Sequence, residues 1–273
     1  MATPVFGADS RFDADTVTSV PAEDTSFPKS NLSDDRVFTV FKPTSAATTV
    51  DVITDTGGAG ASVDYFGLIG HDLFDPASDG NGAVLATFAS SPDNSVYTTI
   101  FSVTPTDNKV IFRTFASVSE RFFRLRMTRG ASFIPSLGQL QWGVRVEIPF
   151  GVQVPFDPEE ERINARSTKS QTGNIMGTTL VFSERRARLR FPLQTDTFLR
   201  SATTGQFGDF WNNHASLMKA FFFAWNPGNP GSFEQDAFFA IIDPRSNIRR
   251  PLTTQVDTGF RDLQIEIQGL KET

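Results

Sequence analysis

Apolar positions in this chain fall in short runs with a period of two, and almost nowhere with the period of a helix. Between residues 37 and 147 the runs are VFTVF, TTVDVIT, SVDYFGLIG, AVLATFASS, SVYTTIFSV, KVIFRTFAS, RFFRLRM and GVRVEI. Turn residues separate them: Asp55-Thr56-Gly57-Gly58, Asp79-Gly80-Asn81-Gly82, Pro92-Asp93-Asn94 and Asp107-Asn108. Short strands at this spacing predict a sandwich or barrel. GTTLVFS, ARLRFPLQ, DAFFAIID and RDLQIEIQG continue the pattern in the second half. There Leu263, Ile265 and Ile267 alternate with Gln264, Glu266 and Gln268, which predicts a strand with one wet face.

One stretch departs from this rhythm. Phe210, His214, Leu217, Met218 and Phe221 recur at i, i+4, i+7, i+8 and i+11, one face of a helix over about 209–223. Asp209 is its expected N-cap and Asn226-Pro227-Gly228 its end. The expected fold class is mainly all-β: two β-sandwich domains, the second with one α-helix packed on it.

Residues 1–30 are rich in Asp, Thr, Ser and Pro, with scattered Phe and no clear period. They are expected to form an extended arm, ordered only by contact with another subunit. Residues 31–150 then form the first domain and 151–273 the second. The break falls at Ile148-Pro149-Phe150-Gly151, followed by Pro155, Pro158 and the acids Asp157, Glu159, Glu160 and Glu161.

Composition narrows the chemistry. With no Cys among 273 residues, disulfides and thiolate metal sites are excluded. No apolar run follows Met1 and no window has the ~18 apolar residues of a membrane span, so synthesis in a cytoplasm is expected. The net charge of -6 argues against a dedicated nucleic-acid binder. The 28 Phe against 2 Tyr and 3 Trp predict Phe-packed cores and Phe in subunit interfaces. The scarcity of Tyr and Trp counts against a sugar-stacking platform.

Residues 30–73 read SNLSDDRVFTVFKP, then TTVDVITD, then VDYFGLIGHDL. This order resembles the front half of a galactose-binding-like (discoidin-type) β-sandwich, in the form found in tail proteins of tailed bacteriophages. Gly67, Gly70, His71 and Leu73 carry the match, and Arg121-Phe122-Phe123-Arg124-Leu125-Arg126 fits its late strand. Phe41 stands where many relatives carry Trp. GDFWNNHASLMKAFFFAW and RDLQIEIQGL resemble tail-tube-like and distal-tail-like domains. The resemblance implies a structural protein of the virion tail, made in the host cytoplasm. Its place would be a distal-tail or tail-tip ring joining the tail tube to the hub or fibres. The alternative is a carbohydrate-binding module of a phage receptor-binding protein. No sugar contact of the family maps onto a residue here.

Candidate chemistry is sparse. His71 and His214 have no partner at metal spacing, and each is expected to be structural. Carboxylates are plentiful but sit in turns. No nucleophile elbow, P-loop or dinucleotide motif is present, so neither a catalytic residue nor a cofactor is expected. Residues 75–82 carry the oxygen ligands of a calcium loop without the EF-hand spacing; a plain turn is the other reading. Charge is uneven. Residues 1–60 hold nine acids against four bases, whereas 113–130 hold five Arg and 185–190 four. The interface reading sets Arg124, Arg126, Arg186 and Arg188 of one subunit against Asp13, Asp15, Asp34 and Asp35 of the next, in a closed homo-oligomeric ring. A solvated strand face is the plainer reading, and DNA contact a third, disfavoured by net charge. The expected partners are copies of this chain and other tail proteins. Membrane and nucleic acid are not expected, and glycan binding has no support in the residues.

Overall fold

The computed structural model describes residues 3–75, 83–153, 161–227, 236–245, 248–249 and 259–269. Its strands are β1 (Val5–Gly7), β2 (Thr16–Val20), β3 (Ala47–Asp55), β4 (Ala61–Ile69), β5 (Leu85–Ser91), β6 (Thr98–Val103), β7 (Ile111–Glu120) and β8 (Phe122–Phe133). They continue with β9 (Gln139–Gly143), β10 (Arg145–Glu147), β11 (Glu161–Lys169), β12 (Ile175–Thr195), β13 (Phe221–Ala224), β14 (Ala237–Ile242) and β15 (Phe260–Gly269). Two short helices, α1 (Asp196–Arg200) and α2 (Phe207–Asn213), lie between β12 and β13.

Three sheets result, ordered β2-β3-β8-β5-β6, β7-β4-β9 and β10-β1-β13-β14-β15-β12-β11. The mainly-β fold class holds. The first two sheets form a sandwich around Phe41, Phe66, Phe88, Phe123, Leu125 and Trp142. Side chains alternate along a strand, so β4 turns Phe66 and Leu68 into that core and Tyr65 and Ile69 to its other side. There they meet Phe222 and Phe239 of the seven-stranded sheet. The outer face of that sheet carries Phe6, Phe191, Phe221, Phe223 and Leu263 against Phe198, Phe207 and Phe210 of the helices. The layers are therefore five strands, three strands, seven strands, helices. β13 is buried on both faces, which is why its sequence is an unbroken Phe run.

Gly67 lets the two halves stack this closely. A Cβ there would lie 2.5 Å from the Phe222 ring. Gly70, with φ +71°, takes the left-handed turn that ends β4.

Four expectations are corrected. Residues 1–30 are not a free arm where they are described. β1 pairs with both β10 and β13, and Phe6 is fully buried. Phe12 packs edge-on against Trp142, and β2 joins the first sheet. A break at residue 150 also fails, because β10 lies in the seven-stranded sheet with β1. The run at 37–41 is not a strand: only Phe41 pairs, in a bridge to Leu137, and Phe38 is exposed. The helix expected over 209–223 stops at Asn213, with Gln206 rather than Asp209 at its cap. Met218 turns left-handed at φ +58°, the His214 ring bonds the Ala220 carbonyl, and Phe221 opens β13. Burial of Phe221–Phe223 between two layers outweighs local helical periodicity.

Candidate interaction surface

β12 has two environments. From Ala187 to Phe191 it is a core strand: Ala187, Leu189 and Phe191 are buried. Toward its start, from Ile175, it pairs with β11 in an antiparallel hairpin, none of whose described residues belongs to any of the three cores. The hairpin closes through Ser170–Gly173, where Gly173 has φ +85° and the Ser170 amide bonds the Asn174 carbonyl. Nine residues of β11 give a projection of about 30 Å.

This hairpin exposes apolar side chains that the core would normally claim. Ile163, Ile175, Met176 and Leu180 are 65%, 69%, 71% and 61% exposed. Register places Ala165 opposite Leu180 and Ser167 opposite Thr178, so Ile163, Ala165 and Leu180 share one face. Arg162 and Arg166 alternate onto the other. Among the described residues β11 is also the edge of its sheet, with one row of backbone N–H and C=O groups without a strand partner. Bulges at Asn164/Ala165 and Thr168/Lys169 twist it locally.

The eight residues expected to form a charged interface fall into groups, Arg124 with Arg126 at Asp51 and Asp13 with Asp34 beside Asp35, and each is engaged within its own chain. Arg126 forks onto Asp51 at 2.8 and 2.7 Å. Arg124 lies 3.6 Å above the Tyr97 ring and 4.0 Å from the Asp51 carboxylate. Burial pulls its guanidinium below the ordinary value. Arg186 pairs with Glu184 and Asp243, and Arg188 with Glu266. Asp13 meets Lys219 at 2.8 Å, and Asp15 takes the Arg11 fork. Asp34 accepts from Thr39, Gln139 and the Arg36 amide. Asp35 has φ +61°; burial raises its carboxyl to about 6, though the Ala220 amide opposes this.

The remaining candidates are structural in placement. His71 is buried; Nε2 donates to the Lys109 carbonyl at 2.8 Å and Nδ1 accepts the Leu73 amide. Burial lowers it to about 4, and His214 to the same value. Among the described residues no three His, Asp or Glu converge as a metal set. Most of the 75–82 loop lies outside the described residues. Sequence reasoning missed Ile163, Ile175, Met176 and Leu180. Residues 164–173 read from sequence as a polar, Gly-containing loop and only GTTLVFS as a strand, whereas Glu161–Lys169 forms β11, and among the described residues no element covers the exposed face.

No family model matches the sequence, and no curated protein matches it. Solved structures resemble about half of it. A GH29 fucosidase of Ruminococcus gnavus is 10% identical over 48% of this chain, TM-score 0.39, and the match spans only 25% of the fucosidase. A chitosan-binding module from a chitosanase/glucanase of Paenibacillus is 18% identical over 50% of this chain and 98% of its own, TM-score 0.39. A CBM32 module of Clostridium perfringens, solved with GalNAc-β-1,3-galactose, is 13% identical over 50% and 99%, TM-score 0.39.

Proposed function

We propose that this protein is an assembly subunit of a bacteriophage tail, and that the β11–β12 hairpin is the connector through which one copy engages the next. The observation that carries this reading is the pair Ile163 and Leu180, exposed on one face of a projecting edge hairpin. A long edge strand with apolar side chains associates with another chain unless it is blunted. Among the described residues of its own chain nothing covers this face, and the proposed occupant is a neighbouring copy. The contact is then between unlike surfaces, which close into a ring when the rotation permits. The motif resemblance to distal-tail and tail-tip proteins supplies the tail setting, and with it a location in the virion. The charged pairs named from sequence are a weaker basis for the contact, because each acts within one chain.

The competing reading is a carbohydrate-binding module. Sugar stacking needs an accessible aromatic ring, ideally Trp or Tyr. Trp142 and Tyr65 are fully buried, and Arg124 covers Tyr97. Trp211 and Trp225 pack against the outer core.

Sedimentation of the purified protein separates the two. The assembly reading expects a closed oligomer that the double variant Ile163→Asp, Leu180→Asp reduces to a folded monomer. A wild-type monomer that is retained on a chitosan or galactoside column overturns it in favour of the sugar-binding module.

A further inference from the structure

The hairpin carries charge of one sign. From residue 162 to 183 it holds Arg162, Arg166 and Lys169 and no carboxylate, in a protein of net charge -6. All three are exposed, and none has an ion-pair partner among the described residues. Glu184 stands opposite Arg162 in register but pairs with Arg186. Lys169 stands opposite Ile175 and shares the face of Ile163 and Leu180.

A surface of the opposite sign lies at the turn between α2 and β13, where Leu217 and Met218 are exposed. The chain at 35–38 runs beside this turn: Asp35 accepts the Ala220 amide, and Val37 packs on the cluster that holds Ala220. Phe38, the next residue, is 77% exposed. Asp13, Asp34 and Lys219 surround Asp35, while Asp9, Asp13 and Asp209 line an adjoining hollow of about 240 Å³. The cations here are Lys219, paired with Asp13, and Arg36, whose amide donates to Asp34. His214, lowered to about 4 by burial, is neutral at pH 7, and Arg11 pairs with Asp15 without adding net charge. Carboxylates therefore outnumber cations five to two. Asp34, Asp35 and Asp209 accept from neutral donors, Thr39, the Ala220 amide and Asn213, which leave their charge in place.

We propose that this surface is the seat for the hairpin of a neighbouring copy, with Ile163 and Leu180 against Phe38, Leu217 and Met218, and Lys169, Arg166 and Arg162 toward the acidic rim. The inference rests on the reading of the hairpin as the subunit connector. Two observations select this occupant. Both surfaces expose apolar side chains. Their charges are opposite, cations alone on one and an excess of carboxylates on the other. Opposite charge speeds encounter and fixes register more than it adds affinity, which falls to the apolar contact. An acidic seat repels nucleic acid and anionic lipid. Hairpin and seat are unlike surfaces, so each copy offers one of each, as ring closure requires.

The test mixes two variants in a sedimentation experiment. Ile163→Asp, Leu180→Asp loses the hairpin contact and keeps the seat; Phe38→Arg, Leu217→Arg loses the seat and keeps the hairpin. Each alone is expected to be monomeric. Mixed, they are expected to form a one-to-one dimer and nothing larger, because one hairpin finds one seat. Adding Arg166→Glu and Lys169→Glu to the seat variant is expected to weaken that dimer by about tenfold. The changed side chains are exposed, so unchanged circular dichroism spectra establish that the variants are folded. A seat variant that assembles like the wild type, beside a monomeric hairpin variant, overturns the seat and leaves the connector standing. So does a mixture that stays monomeric. A hairpin variant that assembles, or a monomeric wild type, overturns the connector and the seat with it. If the seat variant does not fold, Arg166→Glu, Lys169→Glu in the otherwise intact chain decides, and undiminished assembly overturns the inference.

Discussion

The two ends of β12 share one backbone and differ in everything that surrounds it. At one end Ala187, Leu189 and Phe191 alternate inward against the helices and β15. At the other, Leu180 and Met176 are exposed to solvent, with β11 as the only neighbour strand among the described residues. Both segments satisfy the rules of a strand. What distinguishes them is whether a second layer exists to bury the apolar face, and this sets where stability is located and where association can occur.

The comparison is broken most severely by emptying the buried end. Phe6 touches Phe191, Phe210, Phe221 and Phe223 with ring centroids 5.0–6.3 Å apart. Phe6→Ala is expected to cost about 3–5 kcal/mol in denaturant unfolding, whereas Leu180→Ala in the monomer changes stability by less than about 0.5 kcal/mol. Equal losses at the two sites contradict the division.

Much of the buried end was legible in the sequence. The alternation of Leu263, Ile265 and Ile267 and the single Arg face of β12 follow from a period of two. The position of β1 did not, because three residues, Val5–Gly7, are too few for any periodicity, and their burial depends on partners about 140 and 220 residues away. The end of the helix was hidden for a related reason: Phe221 fits a helical face and a strand equally, and only the third layer decides. The exposed hairpin was illegible because the polar residues 164–173 read as a loop rather than as most of β11, and because pattern is silent on what covers the strand that follows.

A smaller perturbation probes the stacking of the halves. Gly67→Ala places a methyl group against the Phe222 ring, forcing the layers apart. A loss of about 1–3 kcal/mol is expected, with the fold retained. No measurable loss in chemical denaturation means that the sandwich and the seven-stranded sheet are not packed as closely as this.

The smallest effect is in pH dependence. Buried His71 sits at about 4 against an ordinary 6.5, so between these values the unfolded chain binds a proton that the folded chain excludes. Stability is therefore lost as pH falls through that window. Asp35, raised by burial from 3.8 to about 6, acts in the opposite sense, because the folded state holds its proton more readily. His71→Gln keeps a donor for the Lys109 carbonyl and does not titrate. Its denaturation midpoint is expected to fall less between pH 6.5 and about 4 than that of the wild type. An identical fall in both excludes His71 as a source of acid sensitivity.

Hydrogen–deuterium exchange, compared between the monomeric Ile163→Asp, Leu180→Asp variant and the wild-type assembly, tests the connector most directly. The amides on the free edge of β11 have no strand partner among the described residues of one chain. They are expected to exchange rapidly in the monomer and to become protected in the assembly, while β13 and β15 are protected in both. An assembly in which the β11 edge exchanges as fast as in the monomer contradicts the hairpin as the subunit connector.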